Sequence, residues 1–393
     1  MSAIIIDDDL FAKNLLVKQV QKLTLSIAYG CSTASEALSI ISRNKSIDLI
    51  FCDIQMPEMD GVEFIRYLSA NNYKGNLVLV SGQDYRLLKT VERLAKAHNL
   101  NLVSALKKPV SMIDLTNVFY KIKNHSIQFR KDKNKLNINE IESALKNNQF
   151  FIQYQPKVLV QTGEYVGAEA LVRWMHPEHG IIMPDVFIEI AEEYGLINDI
   201  TDFVIKTSVD DQKRWAAEGL QGNMAINIST ESLSVIELPE KISKYLLHAG
   251  IPNSNIILEI TESRLLKNIN KSLDVLARLR LKNFNLSIDD FGTGHSSLAQ
   301  LRDVPFNELK IDRSFVHGAN NDKYLKAIIQ ASSEMAHKFE MKVVAEGVED
   351  HEDWNLIKSL GCDVAQGWFI SKSINTENMV SWYAGWKEKY LTI

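Results

Sequence analysis

Short apolar runs alternate with amphipathic stretches along almost all of the 393 residues. Between the apolar runs at residues 3–6 and 25–29, apolar residues recur at the spacing of a helix; they are Phe11, Leu15, Leu16, Val20 and Leu23. Alternating strands and helices predict a parallel sheet with helices on both faces, which is a doubly wound, flavodoxin-like α/β unit. The runs that we assign to its five strands are residues 3–6, 25–29, 48–52, 77–80 and 101–105.

Polar residues stand at the ends of these five runs. In sheets of this kind the carboxyl ends of the strands meet in one crevice. Three carboxylates there repel one another unless a hard cation joins them, and Mg²⁺ takes oxygen ligands of this type. One carboxylate could then accept a phosphoryl group as a nucleophile, and neighbouring donors would hold the phosphoryl oxygens. Any one aspartate alone could be a helix cap, but polar residues at the ends of successive strands favour a phosphoryl-accepting site. The five residues are Asp7, Asp8, Asp53, Ser81 and Lys108.

These residues, with Met56-Pro57 and Asp60-Gly61, resemble the response regulator receiver family over residues 1–122. The resemblance implies phosphorylation at Asp53, one Mg²⁺ held by Asp7, Asp8 and Asp53, and phosphoryl contacts from Ser81 and Lys108. It also implies a sensor histidine kinase or phosphotransfer protein as partner. Ala105 stands where such receivers usually carry an aromatic switch residue, so we do not expect the usual aromatic route of signalling.

Residues 123–138 are polar and rich in charge, and we interpret them as a solvated linker or the exposed face of a connecting helix rather than a binding patch. From residue 139 to residue 393, apolar runs again alternate with helical stretches. This length suits a (β/α)8 TIM-type barrel. Its eight predicted strands are residues 151–154, 165–172, 224–228, 256–260, 285–288, 308–311, 342–345 and 364–369.

Nearly every predicted barrel strand contributes a polar residue at or just past its end. Such an excess of carboxylates over one lysine would be unstable in a common pocket without cations. Two divalent ions would solve the charge problem and supply a hydrolytic mechanism, and oxygen ligands favour Mg²⁺ or Mn²⁺ over zinc. Taken singly, Glu259 could be a satisfied barrel glutamate and Lys310 a buried ion-pair partner. The recurrence of polar residues at successive strands argues against those readings. The residues are Glu169, Asn227, Glu259, Asp289, Asp290, Lys310, Asp312, Glu346 and Gln366.

The run Glu169-Ala170-Leu171, followed by Arg173-Trp174, resembles the EAL phosphodiesterase family. Further matching motifs lie between residues 140 and 385, among them Asp289-Asp290-Phe291-Gly292 and Lys310-Ile311-Asp312-Arg313. The resemblance implies hydrolysis of cyclic di-GMP to linear 5′-pGpG by two metal ions. It places Glu169, Asn227, Glu259 and Asp289 on one ion, and Asp289, Asp290 and Glu346 on the second.

Further roles also follow from the resemblance. Lys310 would orient and help to deprotonate the attacking water, Glu346 would be a further catalytic residue, and Glu262, also catalytic, would anchor the loop of residues 290–294. The dinucleotide would be contacted by Gln155, Leu171, Arg173, Asp312 and Gln366. The chain departs from the usual family pattern at His295, Trp368 and Ser373, and none of these removes a metal ligand.

Composition excludes several other classes. The net charge of −5 gives no global basic field, so we expect no DNA partner. No apolar run approaches the roughly 18 residues of a membrane span, and no signal peptide is expected at the N-terminus. Cys31, Cys52 and Cys362 read as buried thiols in a reducing cytoplasm. We expect a homo-oligomer. Two alternatives are an inactive EAL domain that binds cyclic di-GMP as a receptor, and a scaffold regulated by phosphorylation.

Overall fold

The computed structural model describes residues 2–24, 27–43, 47–82, 85–128, 136–261, 269–293 and 298–391. The chain divides into two compact units, Met1–Lys135 and Leu136–Ile393. Within the described ranges, no helix is both long enough and apolar enough to cross a membrane.

The first unit is a five-stranded parallel sheet with strand order β2-β1-β3-β4-β5. This order is that of a flavodoxin-like doubly wound fold, so the predicted class is confirmed. The strands are β1 Ser2–Ile6, β2 Ile27–Cys31, β3 Leu49–Asp53, β4 Asn76–Ser81 and β5 Asn101–Lys107. The helices are α1 Leu10–Thr24, α2 Ala34–Arg43, α3 Gly61–Ala70, α4 Tyr85–Ala97 and α5 Met112–Gln128.

The core of this unit lies on both faces of the sheet, as side-chain alternation along a strand requires. Ile4 and Ile6 of β1 pack in one cluster with Phe64 of α3. Ala3 and Ile5 pack in the opposite cluster with Leu115 of α5 and others. The sheet is thus buried on both sides, and the predicted site residues Asp7, Asp53, Ser81 and Lys108 lie at or just past the strand ends.

Helix α1 forms where the spacing predicts it, but its apolar residues do not share one face. Leu16 and Val20 are buried against the sheet, whereas Phe11 is 78% exposed and Leu15 is 42% exposed. Residues five apart on a helix point about 140° away from each other, given 3.6 residues per turn. Phe11 and Leu16 therefore cannot both face the core.

The second unit is an eight-stranded closed barrel, so the predicted TIM-type fold is confirmed. Its strands run in the order β6-β14-β13-β12-β11-β10-β9-β7, and β6 pairs with β7 to close the ring. They are β6 Phe150–Leu159, β7 Tyr165–His176, β9 Asn223–Asn227, β10 Ile256–Thr261, β11 Asn285–Phe291, β12 Glu308–Ile311, β13 Lys342–Ala345 and β14 Val364–Ala365, with β8 Gly180–Ile182 and β15 Ile374–Asn375 added at the rim.

Helices surround the strands of this unit. They are α6 Ile138–Lys146, α7 Pro184–Glu193, α8 Ile197–Ala217, α9 Leu238–Ala249, α10 Ile269–Leu281, α11 Leu298–Asp303, α12 Arg313–Val316, α13 Lys323–Lys338, α14 His351–Ser359 and α15 Met379–Tyr390. Short 3₁₀ turns occupy Ser232–Ser234, Asn253–Asn255, Ala319–Asn321 and Thr376–Asn378.

The first barrel strand departs from a uniform βα repeat. Strand β6 runs antiparallel to both β7 and β14, and the segment of residues 160–164 joins it to β7 without a helix. Within that segment Gly163 has a φ of +69°, a conformation that glycine adopts without steric penalty. One consequence matters for the site: the antiparallel register sets Gln155 directly opposite Glu169.

The last barrel strand is shorter than the run of residues 364–369 that we assign to it from sequence. It ends at Ala365, and the chain then turns through Gly367 toward Val348. A Cβ atom on Gly367 would lie 2.2 Å from the Val348 carbonyl oxygen, so only glycine fits there. Gln366 is therefore held between the strand and this turn. The backbone N–H of Gln366 donates to the Ala345 carbonyl at 2.9 Å.

The predicted linker, residues 123–138, overlaps the end of one helix and the start of another. Helix α5 continues beyond residue 122 to Gln128, so the first residues of the predicted linker are helical. Helix α6 begins at Ile138 and is opened by a capping box in which Asn137 and Glu140 satisfy each other's backbone N–H groups.

Candidate active site

Lys310 stands at the centre of a ring of carboxylates inside the barrel. Its side chain is 1% exposed, and its Nζ lies 2.9 Å from Glu259 Oε2, 3.0 Å from Asp289 Oδ1 and 2.7 Å from Glu346 Oε1. A fourth carboxylate oxygen, Oε2 of Glu169, lies at 3.7 Å. Four different strands or strand ends thus direct their acidic side chains at one ammonium group.

Glu169 is fixed from two sides by amide groups. Asn227 Nδ2 donates to its Oε1 at 2.7 Å, and Gln366 Nε2 donates to its Oε2 at 2.7 Å. Gln366 Nε2 also lies 3.0 Å from Oε1 of Gln155. The predicted residues Gln155, Glu169, Asn227 and Gln366 are therefore joined in one hydrogen-bonded group.

A local irregularity in β11 places two aspartates side by side. The pairing with β12 shifts register between Ile288 and Phe291, and Asp290 has a φ of +56°. A positive φ is uncommon for a residue with a side chain, and such strain is concentrated at functional sites. Oxygen atoms of Asp289, Asp290 and Glu346 all lie within 4.8 Å of one another, an arrangement that could hold a metal ion.

The carboxylates of this cluster resist ionising together. Burial, followed by the charges of Asp289 and Glu169, raises the pKa of Glu346 to about 8 even though Lys310 opposes the rise. Burial and the neighbouring Asp289 raise the pKa of Asp290 to about 6. The pKa of Glu169 is also raised, first by burial and then by Glu259. Divalent cations with oxygen ligands would relieve this repulsion, so the donor set fits Mg²⁺ or Mn²⁺.

The pKa of Glu259 is lowered rather than raised, because two lysines contact its carboxylate. Burial favours its neutral form, but Lys157 and Lys310 outweigh burial and lower its pKa to about 2. Lys157 was not identified from the sequence. It lies within the run Pro156-Lys157-Val158, where a lysine in a strand is more often solvated than buried.

The cavity beside Lys310 has a volume of about 290 Å³. Six predicted residues line it: Gln155, Glu169, Asp289, Lys310, Glu346 and Gln366. Sequence reasoning missed Arg313 and Glu349, which also line the cavity and form an ion pair with each other. Trp368 lines it too, with the Arg313 guanidinium 5.2 Å from the ring centroid. The position of Arg313 directly after Lys310-Ile311-Asp312 is the signal that could have revealed it.

Three predicted substrate contacts lie elsewhere in the described structure. Leu171 lines a separate cavity of about 260 Å³ with Asn227 and others. Arg173 is buried and donates to Gln153 Oε1 at 3.2 Å and to the Val172 carbonyl at 2.9 Å. Asp312 caps α12 by accepting from the Ser314 amide at 3.0 Å. None of the three lines the cavity beside Lys310.

Part of the predicted machinery lies outside the described residues. Glu262 falls there, as do Gly294 and His295. The described part of the loop turns tightly, since the Thr293 amide donates to the Asp290 carbonyl at 3.1 Å. Ser373, another departure from the family pattern, donates from its hydroxyl to Gln153 Oε1 at 3.1 Å.

The first unit has its own acidic site at the strand ends. Oxygen atoms of Asp7, Asp8 and Asp53 lie within 4.8 Å of one another, and Lys108 Nζ lies 2.7 Å from Asp7 and 2.5 Å from Asp53. Burial raises the pKa of Asp7 despite Lys108. Ser81 is fully buried at the end of β4. The structure thus brings Asp7, Asp8, Asp53 and Lys108 together, which an oxygen-ligated cation such as Mg²⁺ would suit.

A second acidic group among the described residues of the barrel has a structural explanation. Asp353 is buried and accepts hydrogen bonds from the backbone amides of Gly318 and Glu349 at 3.1 and 3.0 Å. Its Oδ2 also lies 2.9 Å from Nδ1 of His317. These hydrogen bonds connect neighbouring loops. Both oxygens of the Asp353 carboxylate therefore already have partners within the protein.

Two family descriptions match the chain. The EAL domain matches residues 138–373, and the response regulator receiver domain matches residues 3–120.

Curated relatives and solved structures agree with these matches. The cyclic di-GMP phosphodiesterase RocR of Pseudomonas aeruginosa is 29% identical over 388 residues, covering 98% of this chain and 99% of RocR. The bifunctional diguanylate cyclase/cyclic di-GMP phosphodiesterase MucR of the same organism is 36% identical, covering 62% of this chain and 36% of MucR. A solved complex of the PaMucR phosphodiesterase with c-di-GMP is 36% identical, with a TM-score of 0.59, and covers 62% of this chain and 98% of that one.

Proposed function

The chain belongs to the EAL domain family and is a cyclic di-GMP phosphodiesterase with a receiver domain, and we propose that it releases linear 5′-pGpG. The observation that carries this proposal is the ring of four carboxylates around Lys310 inside the barrel. One hydrolysed phosphodiester in a cyclic dinucleotide gives a linear product.

We assign the metal ligands as the sequence predicts them. Glu169, Asn227, Glu259 and Asp289 would hold one ion, and Asp289, Asp290 and Glu346 the other. When bound, two divalent ions lower the pKa of a water and stabilise charge on the phosphodiester. Proximity of the Asp289, Asp290 and Glu346 oxygens supports the second set. The Asn227–Glu169 hydrogen bond supports the first.

The protein's own groups would orient and deprotonate the attacking water. Lys310 carries a pKa raised well above its ordinary value; burial opposes the rise, but Asp289 and the other carboxylates outweigh it. If those carboxylates were engaged as ligands, they would favour the ammonium form less, and Lys310 could lose its proton to solvent and then accept one from the attacking water. Glu346, whose Oε1 lies 2.7 Å from Lys310 Nζ, is proposed as the second catalytic residue.

Substrate contacts divide into two groups. Gln155 and Gln366 line the cavity, and their side-chain amides would contact a bound dinucleotide. Leu171, Arg173 and Asp312 remain proposed contacts, and they would have to reach the ligand beyond the cavity beside Lys310. Glu262 is proposed to anchor the loop of residues 290–294, as the resemblance to the EAL family implies.

The test of the assignment compares two matched substitutions. Loss of an outer-shell partner of a metal ligand commonly reduces activity or affinity by about 10–100-fold, so Glu169→Ala should reduce turnover by more than that. Glu193→Ala removes an exposed glutamate of α7 and should leave turnover unchanged. Turnover is measured by chromatographic separation of cyclic and linear dinucleotides. Near-normal hydrolysis by Glu169→Ala would overturn the ligand assignment.

We further propose that Asp53 accepts a phosphoryl group with Mg²⁺ held by Asp7, Asp8 and Asp53, from a sensor histidine kinase or a phosphotransfer protein. Ser81 and Lys108 would bind the phosphoryl oxygens. Incubation with acyl phosphate and Mg²⁺ should add one phosphoryl group in an intact-mass spectrum. Asp114→Asn in α5 should retain this increase and Asp53→Asn should lose it. A mass increase that persists in Asp53→Asn would place the acceptor elsewhere.

Phosphorylation is proposed to regulate turnover in a homo-oligomer located in the cytoplasm. A coupling of roughly 1–3 kcal/mol would change the active population about 5–150-fold. Turnover is compared with and without acyl phosphate in the whole chain and in residues 137–393, over a range of protein concentrations. The shorter chain should keep activity and lose the response. Equal rates with and without phosphorylation of the whole chain would contradict regulation of turnover.

A further inference from the structure

An alternating series of buried charges runs inside the barrel below the catalytic cavity. Along this series, Lys157 Nζ lies 3.7 Å from Glu308 Oε1 and 2.6 Å from Glu259 Oε1, and Lys310 Nζ lies 2.9 Å from Glu259 Oε2. Barrels of this class are ordinarily filled here by branched apolar side chains. The four residues Glu308, Lys157, Glu259 and Lys310 therefore need a reason other than packing.

Lys157 and Lys310 hold Glu259 from opposite sides. Lys157 is bonded to one carboxylate oxygen and Lys310 to the other, and Glu259 itself is fully buried. A carboxylate with a separate cation on each oxygen cannot rotate without breaking an ion pair. The orientation of Glu259 toward Lys310 is thus fixed in part by Lys157, which does not line the catalytic cavity.

Lys157 lies on the opposite side of Glu259 from the reacting groups. It lines a second cavity of about 210 Å³, together with Gly167, Ala225 and Glu308. Glu308 Oε1 has no hydrogen-bond partner among the described residues, so the short contact of Lys157 is with Glu259 alone. An ammonium group directed at Glu259 in this way acts on that carboxylate and does not reach the substrate cavity.

Burial of such an ion pair is weak evidence for stabilisation. Replacing a buried pair by apolar residues of similar volume is often neutral or stabilising, whereas removing one partner leaves an uncompensated charge. A methionine of nearly the same length would fill the space of Lys157. The presence of a charged residue at this position is explained by its effect on Glu259.

We propose that Lys157 is a positioning residue that fixes the orientation of Glu259 for hydrolysis. The inference rests on the proposed function, since Glu259 matters for turnover only if the cavity carries out hydrolysis. Lys157 acts through Glu259, so its effect must disappear when the Glu259 carboxylate is absent.

The experiment uses the whole chain in four variants: Lys157→Met, Lys342→Met, Glu259→Gln and the double variant Lys157→Met/Glu259→Gln. Lys342 lines the same lower cavity but is exposed, so it is the matched control. Turnover is measured at saturating Mn²⁺, well below each melting temperature. Lys157→Met should lower kcat by roughly 10–100-fold, the usual effect of losing an outer-shell partner, with KM near the wild-type value. Lys342→Met should match the wild type.

The double variant decides whether Lys157 acts through Glu259. Its kcat should equal that of Glu259→Gln alone, and a double variant that is slower would show that Lys157 acts independently. In metal-free protein, Lys157→Met should lower the melting temperature, and Glu259→Gln should restore part of that loss because it removes the uncompensated charge.

Two further outcomes separate the inference from the function beneath it. A Lys157→Met protein that melts earlier but keeps the wild-type kcat would reduce the lysine to a structural role and overturn the inference, with hydrolysis intact. Absence of hydrolysis by the wild-type chain would instead contradict the proposed function.

Discussion

The two acidic sites of this chain both combine carboxylates with a lysine, but the lysine is far more buried in the barrel than in the receiver. In the receiver, Lys108 follows β5, its side chain is 23% exposed, and it contacts Asp7 and Asp53. In the barrel, Lys310 lies within β12, its side chain is 1% exposed, and four carboxylates lie within 3.7 Å. Both lysines offset carboxylates at the carboxyl ends of parallel strands.

The difference corresponds to what each site must do. In the proposed function the receiver accepts a phosphoryl group on Asp53, and the partly exposed Lys108 would contact the added group. A hydrolytic barrel must keep several ligands at fixed distances, and preorganised charges act most strongly where water is excluded. Enclosure of the lysine, more than the number of acidic residues, therefore distinguishes the two sites.

The largest expected effect comes from removing the enclosed lysine. Lys310→Met keeps the chain length of the side chain but leaves buried carboxylates without their shared cation. Removal of one preorganised donor in an active site commonly lowers kcat by about 10²–10³-fold, and we expect at least that here. The measurement is kcat at saturating Mn²⁺. The control Lys338→Met, at the exposed end of α13, should retain full turnover.

A kcat within a few-fold of wild type for Lys310→Met would show that the carboxylates and ions suffice. The contrast between an enclosed catalytic lysine and an open receiver lysine would then lose its functional meaning.

An intermediate effect concerns pH in metal-free protein. The pKa of Glu346 is raised from 4.5 to about 8, so the folded state binds its proton more tightly than the unfolded state does. Stability from this group is therefore full below about pH 4.5 and is lost as the pH rises toward 8. Glu346→Gln has no such loss. The melting temperature of Glu346→Gln minus that of wild type should increase from pH 5 to pH 8.

Added Mn²⁺ supplies the control for this pH effect. By neutralising the ionised carboxylate, it should stabilise wild type more at pH 8 than at pH 5. A melting-temperature difference that stays constant with pH would mean that Glu346 is not held in its protonated form by its surroundings.

The smallest expected effect lies in the receiver. Ala105 in β5 is partly buried against the core on one face of the sheet. Ala105→Tyr adds the aromatic ring that the receiver resemblance predicts at this position, and it leaves the sequence of the barrel unchanged. Basal turnover of the whole chain should stay within the error of the assay. A large change in basal turnover would mean that β5 influences the barrel even without phosphorylation.

Most of the fold could be predicted because periodicity and length carry that information. All five receiver strands and all eight barrel strands lie at or near the predicted runs. The antiparallel direction of β6 could not be read, because alternation along a strand does not reveal the direction of its neighbours. The early end of β14 also escaped prediction, since it depends on the contact of Gly367 with Val348, far away in sequence.

The candidate site could be predicted where a polar residue interrupts an apolar run. Glu169, Glu259, Asp289 and Glu346 stand out in this way, and the structure gathers them around Lys310. Lys157 shows the limit of the method. A lysine in a strand looks the same in sequence whether it faces solvent or a buried glutamate 102 residues away, and only the closed barrel decides between them.

The most direct test of the account is the metal dependence of hydrolysis by the whole wild-type chain. Protein stripped with a chelator and passed into metal-free buffer is mixed with cyclic di-GMP, and the products are identified by mass spectrometry before and after Mn²⁺ or Mg²⁺ is added. We predict no turnover in stripped protein, recovery with either ion, and linear 5′-pGpG as the first product. Undiminished hydrolysis after stripping, or tight binding of cyclic di-GMP without hydrolysis at any ion concentration, would contradict the account.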